Sequence, residues 1–152
     1  YWPQLFLGIT FNYGLVLGWT AVQGEINTVA IIFYLGAIFW TLGYDTIYGF
    51  QDIKDDEIIG VKSTSIKFKN NPKKFLLLCY LIFASSFIVI GIFMKFNYIF
   101  FVILPITIIT LLYNQIYKLD FKNTKNCLKT FKSNNLIGLI ILINLLLGKI
   151  FI

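Results

Sequence analysis

The stretch that decides the fold runs from Thr28 to Asp56 and reads TVAIIFYLGAIFWTLGYDTIYGFQDIKDD. Its first part, Thr28–Phe50, contains one charged residue, Asp45. A helix needs about 20 predominantly apolar residues to cross roughly 30 Å of bilayer hydrocarbon. The stretch therefore predicts a membrane-spanning helix that leads directly into an acidic segment.

Four further apolar blocks of similar length flank this stretch. Hydrophobic residues make up 58% of the chain and charged residues 13%, whereas soluble domains average about 45–50% and about 25%. Backbone groups in lipid must pair internally, and blocks of this length favour helices over barrel strands. The sequence predicts an all-α, polytopic transmembrane bundle of five helices, the other four at about Leu5–Val22, Phe75–Met94, Tyr98–Tyr117 and Leu136–Ile152.

Two residue patterns within and between these blocks predict local features. Pro105 lies inside the fourth block and predicts a kink without a break, because neighbouring helices can satisfy the carbonyl that it frees. The run Asn70-Asn71-Pro72 marks the start of the third span.

Cys79 and Cys127 lie in different segments without metal-site spacing, so we interpret both as packing residues.

The lysines predict how the chain sits in the membrane. The basic residues are all lysine, and they concentrate in the connections after the second and the fourth block. With five spans these two connections fall on the same side, which the positive-inside rule places in the cytoplasm. The net charge of +6 is therefore interpreted as a signal of membrane orientation, and no nucleic acid is expected as a partner.

The absence of histidine excludes histidine acid–base catalysis and histidine metal sites.

The acidic residues are the main anomaly in composition. Five of the seven lie between Asp45 and Glu57. If the second span continues as a helix, Asp45, Asp52 and Asp56 lie within about 40° of one helix face. Like charges placed in this way repel one another and need compensation. A hard divalent cation such as Mg²⁺ or the nearby lysines can supply it, and a solvated acidic loop remains the alternative.

The residues after the acids are typical of a turn near an anion. Gly60 permits a tight turn, Lys62 can contact a phosphate, and Ser63 or Thr64 can cap a following helix. The glycine spacing of a P-loop is missing. Each of these signals is weak when it is taken separately.

The whole pattern YDTxYxxxDxxDDxxxGxKST, residues 44–64, resembles the second aspartate-rich motif of the UbiA-type intramembrane prenyltransferases. It is most similar to the branch that prenylates 4-hydroxybenzoate in ubiquinone biosynthesis. The segments CLKTFKSNNLIG (127–138) and QLFLG (4–8) resemble the same branch. The resemblance covers essentially the whole chain, aligned to the C-terminal half of the family.

The resemblance implies a bundle of nine membrane helices around a cavity with two aspartate-rich motifs at its mouth. It implies that Asp52 and Asp56 are carboxylate ligands of Mg²⁺, with Asp45 orienting or supporting them. Lys62 becomes a candidate contact for the diphosphate of a polyprenyl donor. Tyr44 and Tyr48 become candidate aromatic residues of the substrate cavity.

The first aspartate-rich motif of the family, Asn-Asp-x-x-Asp-x-x-x-Asp, does not occur in this sequence. We therefore expect residues 1–152 to be the C-terminal half of a prenyltransferase domain and to be inactive alone. The expected full-length protein transfers a polyprenyl group to 4-hydroxybenzoate in a bacterial inner membrane. A superfamily member with another aromatic acceptor and a non-enzymatic transport subunit that uses the acids as a cation site remain as alternatives.

Overall fold

The computed structural model describes residues 1–150, and within them the chain forms helices joined by short connections. The last two residues of the predicted fifth block, Phe151 and Ile152, lie outside the described residues. In chain order the helices are α1 (Pro3–Phe11), α2 (Tyr13–Gln23), α3 (Thr28–Gly49), α4 (Ile53–Ile59), α5 (Thr64–Lys67), α6 (Pro72–Phe93), α7 (Tyr98–Leu112), which continues as a π-helical segment (Tyr113–Tyr117), and α8 (Thr124–Ile150).

Five of these units are long and apolar enough to cross a membrane, as the sequence predicted. They are α1 with α2, then α3, α6, α7 with its π-helical segment, and α8. The α-helix α7 runs through Pro105 without a break. The third span begins at Pro72, directly after Asn71. The protein is an all-α integral membrane protein.

The fifth span begins 12 residues earlier than predicted, at Thr124 and not at Leu136 (136 minus 124). Its first three turns are rich in polar residues, so hydropathy alone missed them. Cys127, Thr130 and Asn134 are nevertheless buried on one face of α8, at the spacing of three and four residues that a helix requires. Hydrogen bonds within the bundle satisfy the Asn134 side chain on this face, whereas Lys125, Lys129 and Lys132 are exposed.

The two lysine-rich connections meet at one end of the bundle, as predicted. The Phe50 ring after α3 packs against the Phe121 ring before α8, with centroids 4.8 Å apart. At the opposite end, the Asn97 amide before α7 donates to the carbonyl of Gly148 near the end of α8, at 3.1 Å. The polar chemistry of the chain is therefore concentrated at the first of these two ends.

The contact between α3 and α6 depends on glycines. A Cβ atom on Gly43 would lie 2.7 Å from Cε1 of the buried Tyr80 ring, and one on Gly36 would overlap the Ser86 hydroxyl. Small residues let membrane helices approach closely, which increases their van der Waals contact. α3 consequently lies at the centre of the fold and packs against α1, α6 and α8.

We expect Gly43→Ala to lower the free energy of unfolding by about 1–3 kcal/mol, since overpacking forces buried groups to shift. The matched control is Gly18→Ala, because nothing lies within 4 Å of a Cβ atom at Gly18. Thermal unfolding in detergent measures both variants, and the control should match or exceed the parent in midpoint. Equal midpoints for the two variants would contradict the close α3–α6 contact.

Candidate functional site

The acidic segment is not a continuation of the second span. α3 ends at Gly49, and the backbone amides of Phe50 and Gln51 donate to the carbonyls three residues earlier, at 3.2 and 2.9 Å. Bonds of this type tighten the last turn of a helix and end it. A new helix, α4, starts at Ile53. The prediction of one continuous helical stripe of three carboxylates was therefore wrong.

Asp52 and Asp56 nevertheless keep the one-turn relationship. The Asp56 amide donates to the Asp52 carbonyl at 2.9 Å, which places the two residues four apart on the first turn of α4. Asp52 precedes the helix and is exposed, whereas Asp56 is half-buried. Asp45, the third predicted site residue, is half-buried near the end of α3. The structure thus brings two of the three carboxylates onto one helical turn.

These three carboxylates have no protein partner among residues 1–150. The only ion pair within that range joins Lys69 Nζ to Glu57 Oε1 at 2.6 Å. Asp120 is the only aspartate in that range whose carboxylate accepts a hydrogen bond. None of the lysines within residues 1–150 therefore forms an ion pair with Asp52 or Asp56. Uncompensated carboxylates at a membrane surface are oxygen donors of the type that Mg²⁺ prefers.

The described residues do not form a complete metal centre by themselves. No group of three histidine, cysteine, aspartate or glutamate side chains within residues 1–150 is placed to hold a metal ion. Mg²⁺ is commonly held by one or two carboxylates together with substrate phosphates and waters. The donor type and the one-turn pair fit that arrangement, in which the remaining ligands would come from substrate phosphates and waters.

Lys62 lies in the turn that follows α4. Gly60 adopts a left-handed conformation with φ of 77°, as the sequence predicted, and the Val61 amide donates to the Asp56 carbonyl at 2.9 Å. Lys62 is exposed, and its Nζ lies 5.8 Å from the centroid of the Tyr1 ring. The Ser63 hydroxyl caps α5, which confirms the predicted cap.

A buried set of polar groups fastens this turn to the membrane helices. We call it the loop anchor, and it comprises Gln4, Thr46, Gly49, Thr64 and Ser65. Gln4 Oε1 accepts from the Thr64 amide at 3.0 Å. The hydroxyls of Thr46 and Thr64 are 2.7 Å apart, and the Ser65 hydroxyl donates to the Thr46 carbonyl at 2.8 Å.

The loop anchor leaves no room for a larger residue at Gly49, where a Cβ atom would overlap the Ser65 hydroxyl. All four polar side chains of the anchor are buried. The anchor therefore fixes the position of Lys62, two residues before Thr64, relative to α1 and α3. Sequence reasoning missed the anchor, although a glutamine at the start of an apolar span was a visible signal.

Gln4→Leu tests the loop anchor. We expect trypsin cleavage after Lys62 and Lys67 to become about tenfold faster, since an unsatisfied buried amide costs about 1–3 kcal/mol and loosens the loop. The matched control is Gln23→Leu, which changes an exposed glutamine at the end of α2. Cleavage rates that are equal in parent, control and Gln4→Leu proteins would contradict the anchoring role.

An aromatic cavity of about 370 Å³ lies between α1, α3 and α8, and Tyr44 is one of the residues that line it. The Tyr44 ring packs edge-on against Trp40 at 5.9 Å and against Phe131 at 5.7 Å. Tyr48 is 41% exposed and contacts Phe131 at 4.8 Å between centroids, but it does not line the cavity. The side-chain amide of Asn12 donates through Nδ2 to the Thr41 hydroxyl at 2.8 Å, and both residues line the cavity.

A fully buried glutamine stabilises the helices behind this cavity. Gln115 lies in the π-helical segment, and its Oε1 accepts from the Tyr80 hydroxyl at 3.2 Å and from Asn134 Nδ2 at 3.3 Å. Its Nε2 donates to the Ser133 hydroxyl at 3.0 Å and to the carbonyl of Thr130 at 3.1 Å. We call this set the Gln115 network.

The Gln115 network reaches the cavity through Asn134, whose Oδ1 accepts from Trp40 Nε1 at 3.2 Å. The network therefore orients Trp40 and α8 as the walls of the cavity. No residue of this network was predicted as functional from composition or periodicity. Three of its members lie in the segment 127–138 that carried part of the family resemblance.

Comparison with known proteins identifies the family. The family model described as "UbiA prenyltransferase family" matches residues 1–140. The chain is 40% identical over 151 residues to a Bos taurus protein named "4-hydroxybenzoate polyprenyltransferase, mitochondrial", a match that covers 99% of this chain and 40% of the relative. It is 37% identical to the Homo sapiens protein of the same name, again over 99% of this chain and 40% of the relative.

A bacterial relative is similar to the same degree. The "4-hydroxybenzoate octaprenyltransferase" of Francisella tularensis subsp. novicida is 39% identical over 142 residues, which are 93% of this chain and 49% of the relative. The chain thus spans less than half the length of these relatives. No solved structure matches it. The match over residues 1–140 and the similarity to these relatives show that the chain belongs to the UbiA prenyltransferase family.

Proposed function

We propose that residues 1–152 are the C-terminal half of a membrane enzyme that transfers a polyprenyl group from polyprenyl diphosphate to the ring of 4-hydroxybenzoate, in ubiquinone biosynthesis. The names of the relatives support 4-hydroxybenzoate as the acceptor and a polyprenyl chain as the transferred group. The relatives are more than twice as long as the matched region, which supports a requirement for further helices and for a first aspartate-rich motif. The fragment alone is then inactive.

The observation that carries the proposal is the pair Asp52 and Asp56, one turn apart at the end of a membrane span and without side-chain partners among residues 1–150. In the proposed site these two carboxylates hold Mg²⁺, and Asp45 supports them from α3. The chemistry that Mg²⁺ supplies when bound is neutralisation of the diphosphate, which makes it a better leaving group. Lys62, presented by the Gly60 turn and held by the loop anchor, contacts the diphosphate oxygens.

In this proposal the reaction takes place in the aromatic cavity, from which water is excluded. The allylic carbon–oxygen bond of the donor breaks, and the electrons leave with the diphosphate. The ring carbon beside the hydroxyl of 4-hydroxybenzoate forms the new carbon–carbon bond and then loses its proton. Walls built from Tyr44, Trp40 and Phe131 exclude water and offer aromatic faces to the carbocation. Tyr48 contacts this wall from outside through Phe131.

The proposed location is a bacterial inner (plasma) membrane with the aspartate-rich and lysine-rich connections in the cytoplasm. The positive-inside rule supports this orientation, because both lysine-rich connections lie at one end of the bundle. The relatives include mitochondrial and bacterial proteins. Membrane lipid surrounds the spans, and the prenyl chain of the donor enters from the bilayer.

A substrate panel tests the proposed function. Membranes that contain the full-length gene product are incubated with Mg²⁺, a polyprenyl diphosphate and one aromatic acceptor at a time, and products are identified by mass spectrometry. We expect prenylated 4-hydroxybenzoate as the main product. A larger yield with dihydroxynaphthoate or homogentisate would assign another acceptor, and ion flux without any prenylated product would support a transport subunit.

A further inference from the structure

A second cavity among the described residues is separate from the aromatic cavity. It has a volume of about 780 Å³ and lies between the two lysine-rich connections. We call it the lysine cleft, because four lysines line it: Lys54, Lys69, Lys73 and Lys122. None of the residues that we assign to Mg²⁺, to the diphosphate or to the aromatic cavity lines the cleft.

The cleft has a strong excess of positive charge. Lys69 is paired with Glu57, but Lys54, Lys73 and Lys122 form no ion pair within residues 1–150. One carboxylate, that of Asp120, lines the cleft, and it accepts from the Lys122 amide at 3.0 Å. Three lysines against one carboxylate, whose oxygen is already engaged, favour an anionic ligand.

Most of the remaining lining of the cleft is apolar, apart from Gln51 and Thr124, and the cleft lies at the end of the bundle where the two lysine-rich connections meet. Phe50 and Leu119 are 4% exposed, and Phe121 packs on Phe50. The cleft is bordered by the end of α3 at Gly49, by the start of α6 at Pro72 and by the start of α8 at Thr124. A ligand in the cleft therefore meets both apolar side chains and lysines at the end of the bundle where α3 ends and α6 and α8 begin.

We propose that the lysine cleft binds the headgroup of an anionic phospholipid from the surrounding bilayer. The lysines face the phosphate, and the aromatic floor faces the upper part of the acyl chains. Basic pockets between membrane helices at this level are typical sites for anionic headgroups. A free phosphate ion would use the lysines but gain nothing from the apolar floor. The proposal does not depend on the reaction that the protein catalyses.

Native mass spectrometry of the purified full-length gene product tests the proposal with phosphatidylglycerol and phosphatidylcholine as probes. We expect phosphatidylglycerol to bind about 100-fold more tightly, since each of three lysines near an anionic headgroup contributes about fivefold. The variant Lys54→Gln/Lys73→Gln/Lys122→Gln should lose this preference. Equal affinity of the unaltered protein for the two lipids would overturn the proposal, whether or not the variant folds.

A second triple variant separates the cleft from the general surface charge. Lys125→Gln/Lys129→Gln/Lys132→Gln removes the same charge from exposed positions on α8 that do not line the cleft, and it should keep the lipid preference. An equal loss in both triple variants would contradict a specific site. Excess inorganic phosphate should leave the bound lipid in place, and displacement of the lipid by phosphate would show a site for soluble anions instead.

Discussion

Replacing both Asp52 and Asp56 by asparagine should reduce prenyl transfer by the full-length gene product at least about 1,000-fold, the effect expected when groups that stabilise transition-state charge are removed. Asparagine keeps the size of each side chain and removes the negative charge that the proposed Mg²⁺ site requires. The initial rate of product formation in membranes, measured over a range of Mg²⁺ concentrations, gives the effect. The Mg²⁺ concentration for half-maximal rate should rise for each single variant.

Asp55→Asn is the matched control for this experiment. Asp55 is exposed on the same turn of α4, so the control makes the same change of charge on the same helix. We expect its rate and its Mg²⁺ requirement to remain close to those of the parent. A loss of rate in Asp55→Asn as large as in the double variant would show that the charge of the segment, and not a specific pair, carries the activity.

Gln115→Ala should lower the free energy of unfolding by about 2–4 kcal/mol, because it leaves several buried polar groups without a hydrogen-bond partner and creates a cavity. Tyr80, Asn134 and Ser133 would each lose a hydrogen-bond partner. Denaturation of the purified protein in detergent measures this loss. Trp40 fluorescence should change as well, because Asn134 would no longer be held in place to accept from the indole.

Asn144→Leu provides a control of the opposite kind in the same helix. Asn144 is fully buried on α8, and neither its Nδ2 nor its Oδ1 has a hydrogen-bond partner among the described residues. Replacement by an apolar residue of similar size should therefore leave stability unchanged or raise it. A larger destabilisation by Asn144→Leu than by Gln115→Ala would contradict the contribution that we assign to the Gln115 network.

Hydropathy was sufficient to predict the number of spans and their type. The lysine distribution was sufficient to predict that both lysine-rich connections share one end. Hydropathy placed the start of α8 too late, because buried polar residues such as Thr130 and Asn134 look like loop residues in sequence. Their burial depends on Gln115, which lies in another helix, and single-residue scales do not include such partners.

The candidate site shows the same limit. Aspartate spacing and the family resemblance predicted the roles proposed for Asp52, Asp56 and Lys62, and the turn at Gly60 was found where expected. Helical periodicity could not reveal that α3 ends at Gly49, because two backbone hydrogen bonds to earlier carbonyls end it. The contact of Gln4 with the Thr64 amide joins residues 60 positions apart, and no local pattern encodes that contact.

The most direct test of the central claim is binding of an unreactive thio-analogue of a prenyl diphosphate to the purified full-length gene product. The proposed roles of Asp52, Asp56 and Lys62 predict tight binding in Mg²⁺, strong weakening in excess EDTA, and the same weakening in Asp52→Asn/Asp56→Asn with Mg²⁺ present. Binding that is equally tight with Mg²⁺ and with EDTA, or that the double variant leaves unchanged, would contradict a carboxylate-held metal that receives the diphosphate.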